Sequence, residues 1–217
     1  LVGRRGAVQD RLAVGQAGRV GGVDDMDAVV FHRHAHDAAV VAPAATAQID
    51  SARLGAMKHN ICVTDCKNAD KESGANINGE LRFASPDFLS WAWSPHPYVM
   101  ASVNTDGNTS YGGVGLEWDF ELGDRWHVEP GFGYVLHDGA VNNPFPSGTQ
   151  AAVDYSADHV LLGSKDLFRT SLALTYDFSE TLALQAIYEH LSHGQILGEG
   201  RNQGMDELGL RLVWNFR

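Results

Sequence analysis

A histidine and a serine stand two residues apart in "YEHLSHGQ" (188–195), and an aspartate follows the next loop in "NQGMDELGL" (202–210). A serine hydroxyl is a weak nucleophile until a neighbouring base takes its proton. An imidazole, with its pKa near neutrality, suits that task. A carboxylate on the other ring nitrogen fixes the tautomer and stabilises the imidazolium that forms. His190 as general base, Ser192 as nucleophile and Asp206 as orienting acid would together serve acyl-group chemistry. Glu207, the next residue, is the second choice for the acid. A low-dielectric surrounding would strengthen every one of these interactions. A His and a Ser two apart are common by chance, so the weight falls on where they lie.

Both stretches alternate with a period of two, the signature of half-buried strands. Leu182, Leu184, Ala186 and Tyr188 share a face with His190 and Ser192, and Leu208, Leu210, Leu212, Trp214 and Phe216 share one with Asp206. Three polar residues therefore interrupt an otherwise apolar surface. The two strands are joined by the loop 194–203, so the end of one lies beside the start of the other and same-face residues approach across the pair. Parity puts Glu207 on the opposite face.

The same alternation runs upstream to Met57 and predicts eight strands. The first is placed at 56–64, with Ile61 and Val63 on one face. In the second, Ile77, Leu81 and Phe83 alternate with Asn76, Asn78, Glu80 and Arg82. The third is "HPYVMASVN" (96–104), the fourth "YGGVGLEWDFEL" (111–122), and the fifth "RWHVEPGFGYVLH" (125–137). The sixth carries Phe168, Leu172, Leu174, Tyr176 and Phe178 on one face. "NTDGNT", "GD" and "SE" read as hairpin turns. The connections 65–75, 138–163 and 194–203 are longer, and short and long connections largely alternate, as at the two rims of an outer-membrane barrel. The segment 85–95, "SPDFLSWAWSP", is long where a tight turn is due, and its Trp91 and Trp93 suggest an interfacial stretch.

Which face meets solvent follows from side-chain chemistry. The apolar face carries large residues, with aromatics near strand ends. The other mixes glycines with opposite charges: Glu80, Arg82, Glu117, Glu129, Arg169, Asp177, Glu189, Glu207 and Arg211. Small residues and paired charges suit a narrow lumen, and large apolar residues suit lipid. The expected fold is an all-β, eight-stranded antiparallel transmembrane β-barrel of the outer-membrane type, residues 56–217. A soluble barrel with its apolar face inward is the competing architecture. With both termini periplasmic, the seventh strand runs outward, and His190 and Ser192 fall at the level of the outer leaflet.

Composition narrows the function further. No run of apolar residues is long enough for a transmembrane helix, which leaves a barrel open. A net charge of −11 argues against nucleic acid as a partner. Cys62 and Cys66 form C-x-x-x-C, read as a local disulfide or two free thiols, the disulfide favoured in an oxidising compartment. Residues 1–55 lack sustained alternation and are expected to be a disordered or non-native leader. "DAAVVAPAATAQ" ends in small residues like a cleavage site, but acidic residues precede it. His32, His34 and His36 alternate there as metal ligands would, without a supporting cluster. The start at Leu1 is read as a fragment or a misplaced start.

"YEHLSHGQ…NQGMDELGLRL", closing an eight-stranded barrel, resembles the PagL-type lipid A 3-O-deacylases, or acyloxyacyl hydrolases, from about residue 57 onward. The resemblance implies a serine esterase on the outer wall of a bacterial outer-membrane barrel, hydrolysing the ester that holds the 3-hydroxyacyl chain of lipid A. By that likeness His190 is the base, Ser192 the nucleophile and Asp206 the acid. Some members carry Glu as the acid, and many carry Asn after the serine, where this chain has His193. Backbone amides at His193 and Gly194 are the candidates for an oxyanion hole. The substrate and partner are lipopolysaccharide and outer-membrane lipid. No metal or organic cofactor is implied, and monomer or homodimer is left open. Lys165, Arg169 and Arg201 are candidates for lipid A phosphates, although parity favours the lumen for Arg169. A non-catalytic structural or adhesive barrel working through 138–163 is the alternative, and an acyltransferase a third reading.

Overall fold

The computed structural model describes residues 48–69 and 71–216, which form eight antiparallel strands closed into a barrel. The strands are β1 (Ile49–Lys58), β2 (Ala75–Phe83), β3 (His96–Asn104), β4 (Tyr111–Glu117, resuming at Phe120–Glu121) and β5 (Trp126–His137). β6 (Asp166–Asp177), β7 (Leu182–Ser192) and β8 (Met205–Asn215) complete the wall. Each pairs with its neighbours in sequence, and β8 pairs with β1 from Ser51↔Asn215 to Lys58↔Leu208, which closes the ring. Closure matters because an open edge would leave N–H and C=O groups unpaired in lipid.

The barrel is inside-out, as the alternation predicts. Leu208, Leu210, Leu212 and Trp214 on β8 are 40–56% exposed on the outer wall. Arg53, Glu80, Glu117, Glu129, Arg169, Glu189, Glu207 and Arg211 are buried in the lumen. Burying charge is costly unless it is paired and hydrogen-bonded, and here the pairing is dense. Arg53 reaches Glu80 at 2.9 Å, Glu117 at 2.6 Å and Glu129 at 2.9 Å, tying β1 to β2, β4 and β5 across the interior. Arg211 bonds Glu80 at 3.0 Å and Gln185 at 2.7 Å. Arg169 grips Glu189 through two nitrogens and lies 5.0 Å over the Tyr98 ring. Two glycines make room for that ring. A Cβ on Gly115 or Gly133 would stand 2.3 or 2.2 Å from the Tyr98 hydroxyl oxygen.

Some expectations change, and others, the Cys62–Cys66 disulfide and the lumen placement of Arg169 among them, hold. β1 begins at Ile49, seven residues before the predicted start, so 49–55 belong to the wall, and Ile61 and Val63 lie in the following loop. The cause is the weak pattern of "IDSARLGAMK", whose outward residues include small Ala52 and Ala56. The rest of the leader, including His32, His34 and His36, lies outside the described residues. The connection 138–163 contains a helix, α1 (Gln150–Asp158), whose N-cap Thr149 accepts from the Ala152 amide. The segment 85–95 holds a 3-10 helix at Asp87–Ala92, with Trp91 and Trp93 82 and 80% exposed. Arg169 faces the lumen and is unavailable to an external phosphate, whereas Lys165 and Arg201 are exposed. Cys62 and Cys66 form a disulfide.

Candidate active site

The antiparallel register of β7 and β8 places His190 opposite Asp206. Both project from the outer wall at the rim that carries the long loops. His190 Nδ1 lies 2.7 Å from Asp206 Oδ1. The imidazole is 25% exposed, and the carboxylate only 1%. That contact assigns the Nδ1 proton to the hydrogen bond and leaves Nε2 with a free lone pair. Ser192 follows on the same strand face, paired across to Phe168 on β6 and partly exposed. Among the described residues no hydrogen bond joins Ser192 to His190.

The surroundings of Asp206 were not legible in the sequence. Tyr188 donates its hydroxyl proton to Oδ1 at 2.8 Å. The Thr64 amide donates to Oδ2 at 2.5 Å, and the Val63 and Asp65 amides each lie 3.3 Å from the same oxygen. The Thr64 hydroxyl is 2.8 and 3.0 Å from the two carboxylate oxygens, and 3.0 Å from His190 Nδ1. A carboxylate buried this completely needs such donors in place of water. Tyr188 had a signal, since it shares the His190 face two residues earlier. Thr64 had none, because a loop docks it from the far end of β1.

Glu207 turns to the other side of the same wall. It accepts from Asn76 at 2.8 Å and Tyr111 at 2.9 Å, and meets His59 Nδ1 at 2.7 Å. His59 Nε2 lies 3.0 Å from Glu72. Burial works against a charge on His59, but the hydrogen bonds to Glu207 and Glu72 outweigh it and raise the pKa to about 9. Glu207 is thus committed to the loop-facing end of the lumen and does not reach His190. His193 also turns inward: its ring is buried against the Arg201 carbonyl, at 3.1 Å, and its amide donates to Asn202 Oδ1 at 3.3 Å. Of the two predicted oxyanion donors, the Gly194 amide is the one not so engaged; Gly194 sits at φ +60°.

Gly204, just before β8, packs against the imidazole. A Cβ there would lie 2.6 Å from His190 Cε1 and 3.4 Å from Nε2. Gly204→Ala is therefore expected to push the ring off Asp206. If the His190–Asp206 contact serves catalysis, turnover falls about 10- to 100-fold, as for a misplacement near 1 Å. Steady-state kinetics on the folded barrel checks this, and unchanged kcat would show that the ring position is not critical.

Residues 74–215 match the family model described as lipid A 3-O-deacylase (PagL). No curated protein sequence matches. Among solved structures the chain is similar to the crystal structure of the outer membrane enzyme PagL, with a TM-score of 0.50 and 14% identity over 77% of this chain and 99% of that one. It is also similar to a de novo designed transmembrane β-barrel, with a TM-score of 0.43 and 9% identity over 78% of this chain and 98% of that one. The Yersinia pestis outer membrane protein Ail, in a phospholipid bilayer nanodisc, gives 0.41 and 12% over 77% of this chain and 99% of that one. At 14% identity the likeness to the PagL crystal structure is one of fold.

Proposed function

The chain belongs to the lipid A 3-O-deacylase (PagL) family, and from that premise we propose that it hydrolyses the 3-O-linked hydroxyacyl ester of lipid A with Ser192, His190 and Asp206. The observation that carries this reading is the 2.7 Å contact between His190 and Asp206 on the apolar outer wall, with Ser192 on the same strand face. A polar cluster facing lipid is costly and is expected where it pairs or functions.

In the proposed sequence, His190 Nε2 takes the Ser192 proton as Oγ attacks the ester carbonyl. Asp206 stabilises the imidazolium through Nδ1. The Gly194 amide is the candidate donor for the tetrahedral oxyanion. The imidazolium then protonates the departing sugar oxygen. A water, deprotonated by the same imidazole, cleaves the acyl-enzyme and releases the 3-hydroxy fatty acid. Lipid A lies in the outer leaflet with its esters near the headgroup boundary. The long-loop rim, opposite the rim where β1 starts and β8 ends, would sit at that depth in a barrel with periplasmic termini. A site on the wall then meets its substrate without extracting it from the membrane.

Mass spectrometry of lipid A from cells with and without the protein tests the assignment. The expected result is a loss equal to one 3-hydroxyacyl chain at position 3. An unchanged lipid A would favour a structural barrel, and a gained chain would favour an acyltransferase.

A further inference from the structure

The oxygens of a carboxylate offer roughly four lone-pair positions, and His190 fills one of those on Asp206. The Val63, Thr64 and Asp65 amides converge on Oδ2, and the Thr64 hydroxyl reaches both oxygens. All three residues lie inside the ring closed by the Cys62–Cys66 disulfide. A ring this small leaves its backbone few conformations, and converging amides make an anion-binding concavity. The disulfide is not the loop's sole anchor. His59 is held between Glu207 and Glu72, and Asn60 donates to the Asn68 carbonyl at 2.6 Å. The local cross-link therefore acts on the direction of the three amides more than on whether the loop docks. The Asp206 carboxylate, by contrast, takes most of its hydrogen bonds from this loop. Asp206 is the second residue of β8, where Ile61 and the pairing with His190 hold its backbone, and among the described residues its side-chain partners outside the loop are Tyr188 and His190.

We propose that the disulfide-closed loop 62–66 is a positioning element of the site, in which Thr64 sets the Asp206 carboxylate against His190. The inference rests on the catalytic reading above. Thr64 touches both members of the pair and acts through them. Its loss therefore lowers turnover rather than substrate binding.

The test uses the full-length barrel in detergent with lipid A, folding being checked by heat-modifiable gel migration. Thr64→Val keeps the shape and removes the hydroxyl. It is expected to lower kcat about 10- to 100-fold, the scale of a small misplacement of a reacting group, with KM unchanged. Thr64→Ser restores most of the loss. A dithiol reductant passes two electrons and two protons to the S–S bond, giving two thiols as it closes to its own cyclic disulfide. It should lower kcat in the wild type and have no effect on a Cys62→Ser/Cys66→Ser variant, which starts at the lowered value. Ser192→Ala, run in parallel, separates two failures. If Ser192→Ala is inactive while Thr64→Val and the reduced protein keep full kcat, the positioning role is overturned and the catalytic reading stands. If Ser192→Ala is fully active, both fall. A loss that Thr64→Ser shares equally also overturns the role of the hydroxyl.

Discussion

Ser192→Ala is expected to reduce deacylation of lipid A by about 1,000-fold or more, the scale seen when a triad nucleophile is removed. The barrel should remain folded. Ser192 is partly exposed on the outer wall at the last residue of β7 and, among the described residues, has no side-chain hydrogen bond. Truncating it opens no cavity and strands no buried partner, the two routes by which such a change would unfold a protein. The loss should appear in kcat/KM with isolated lipid A, alongside unaltered heat-modifiable migration. Full activity in this variant would end the serine esterase reading, whatever the other residues do. A variant that fails to fold would contradict the account of Ser192 as an outward residue without structural partners.

Asp206→Asn should have the next largest effect, about 100- to 10,000-fold on kcat. The substitution keeps the volume, so the wall packs as before. The chemistry of the pocket is what changes. The groups aimed at Asp206 are donors: the amides of Val63, Thr64 and Asp65, the hydroxyls of Tyr188 and Thr64, and Nδ1–H of His190. An asparagine offers one acceptor oxygen and brings two N–H groups of its own. One side of the pocket then faces donor against donor. His190 loses the charge that stabilises its protonated form and the contact that selects its tautomer. The unmet donors also cost about 1–3 kcal/mol of stability, so thermal unfolding should be recorded beside the kinetics. A variant retaining most of its activity would mean that His190 works without the acid, and that the contact serves only to hold the rim together.

The reading from period two succeeded where each residue's face depends only on its neighbours along the strand. His190, Ser192 and Asp206 fall on the outer face, Glu207 and Arg169 on the inner one, and the coordinates agree. It failed where side chains carried little contrast. The outward small residues of β1 hid that strand's first half. It was also blind to α1, since a nine-residue helix in a long connection has too few turns for its pattern to stand out.

The sequence alone determined eight alternating strands with an oily face, a charged face and one polar interruption of the oily face near a rim, and it favoured the oily face as the exterior. Alternation is local and sorts each strand into an oily and a charged face, and a one-residue slip would exchange them, so the register is fixed; the large apolar residues on one face favour turning it to lipid over the competing soluble barrel. Only the tertiary structure decided what surrounds that interruption. Beside the His190–Asp206 approach that the β7–β8 hairpin already implied, the loop closed by Cys62 and Cys66 crosses from β1 to supply the carboxylate with donors. The loop contacts join residues more than a hundred positions apart. Such proximity comes from ring closure, which no local spacing encodes.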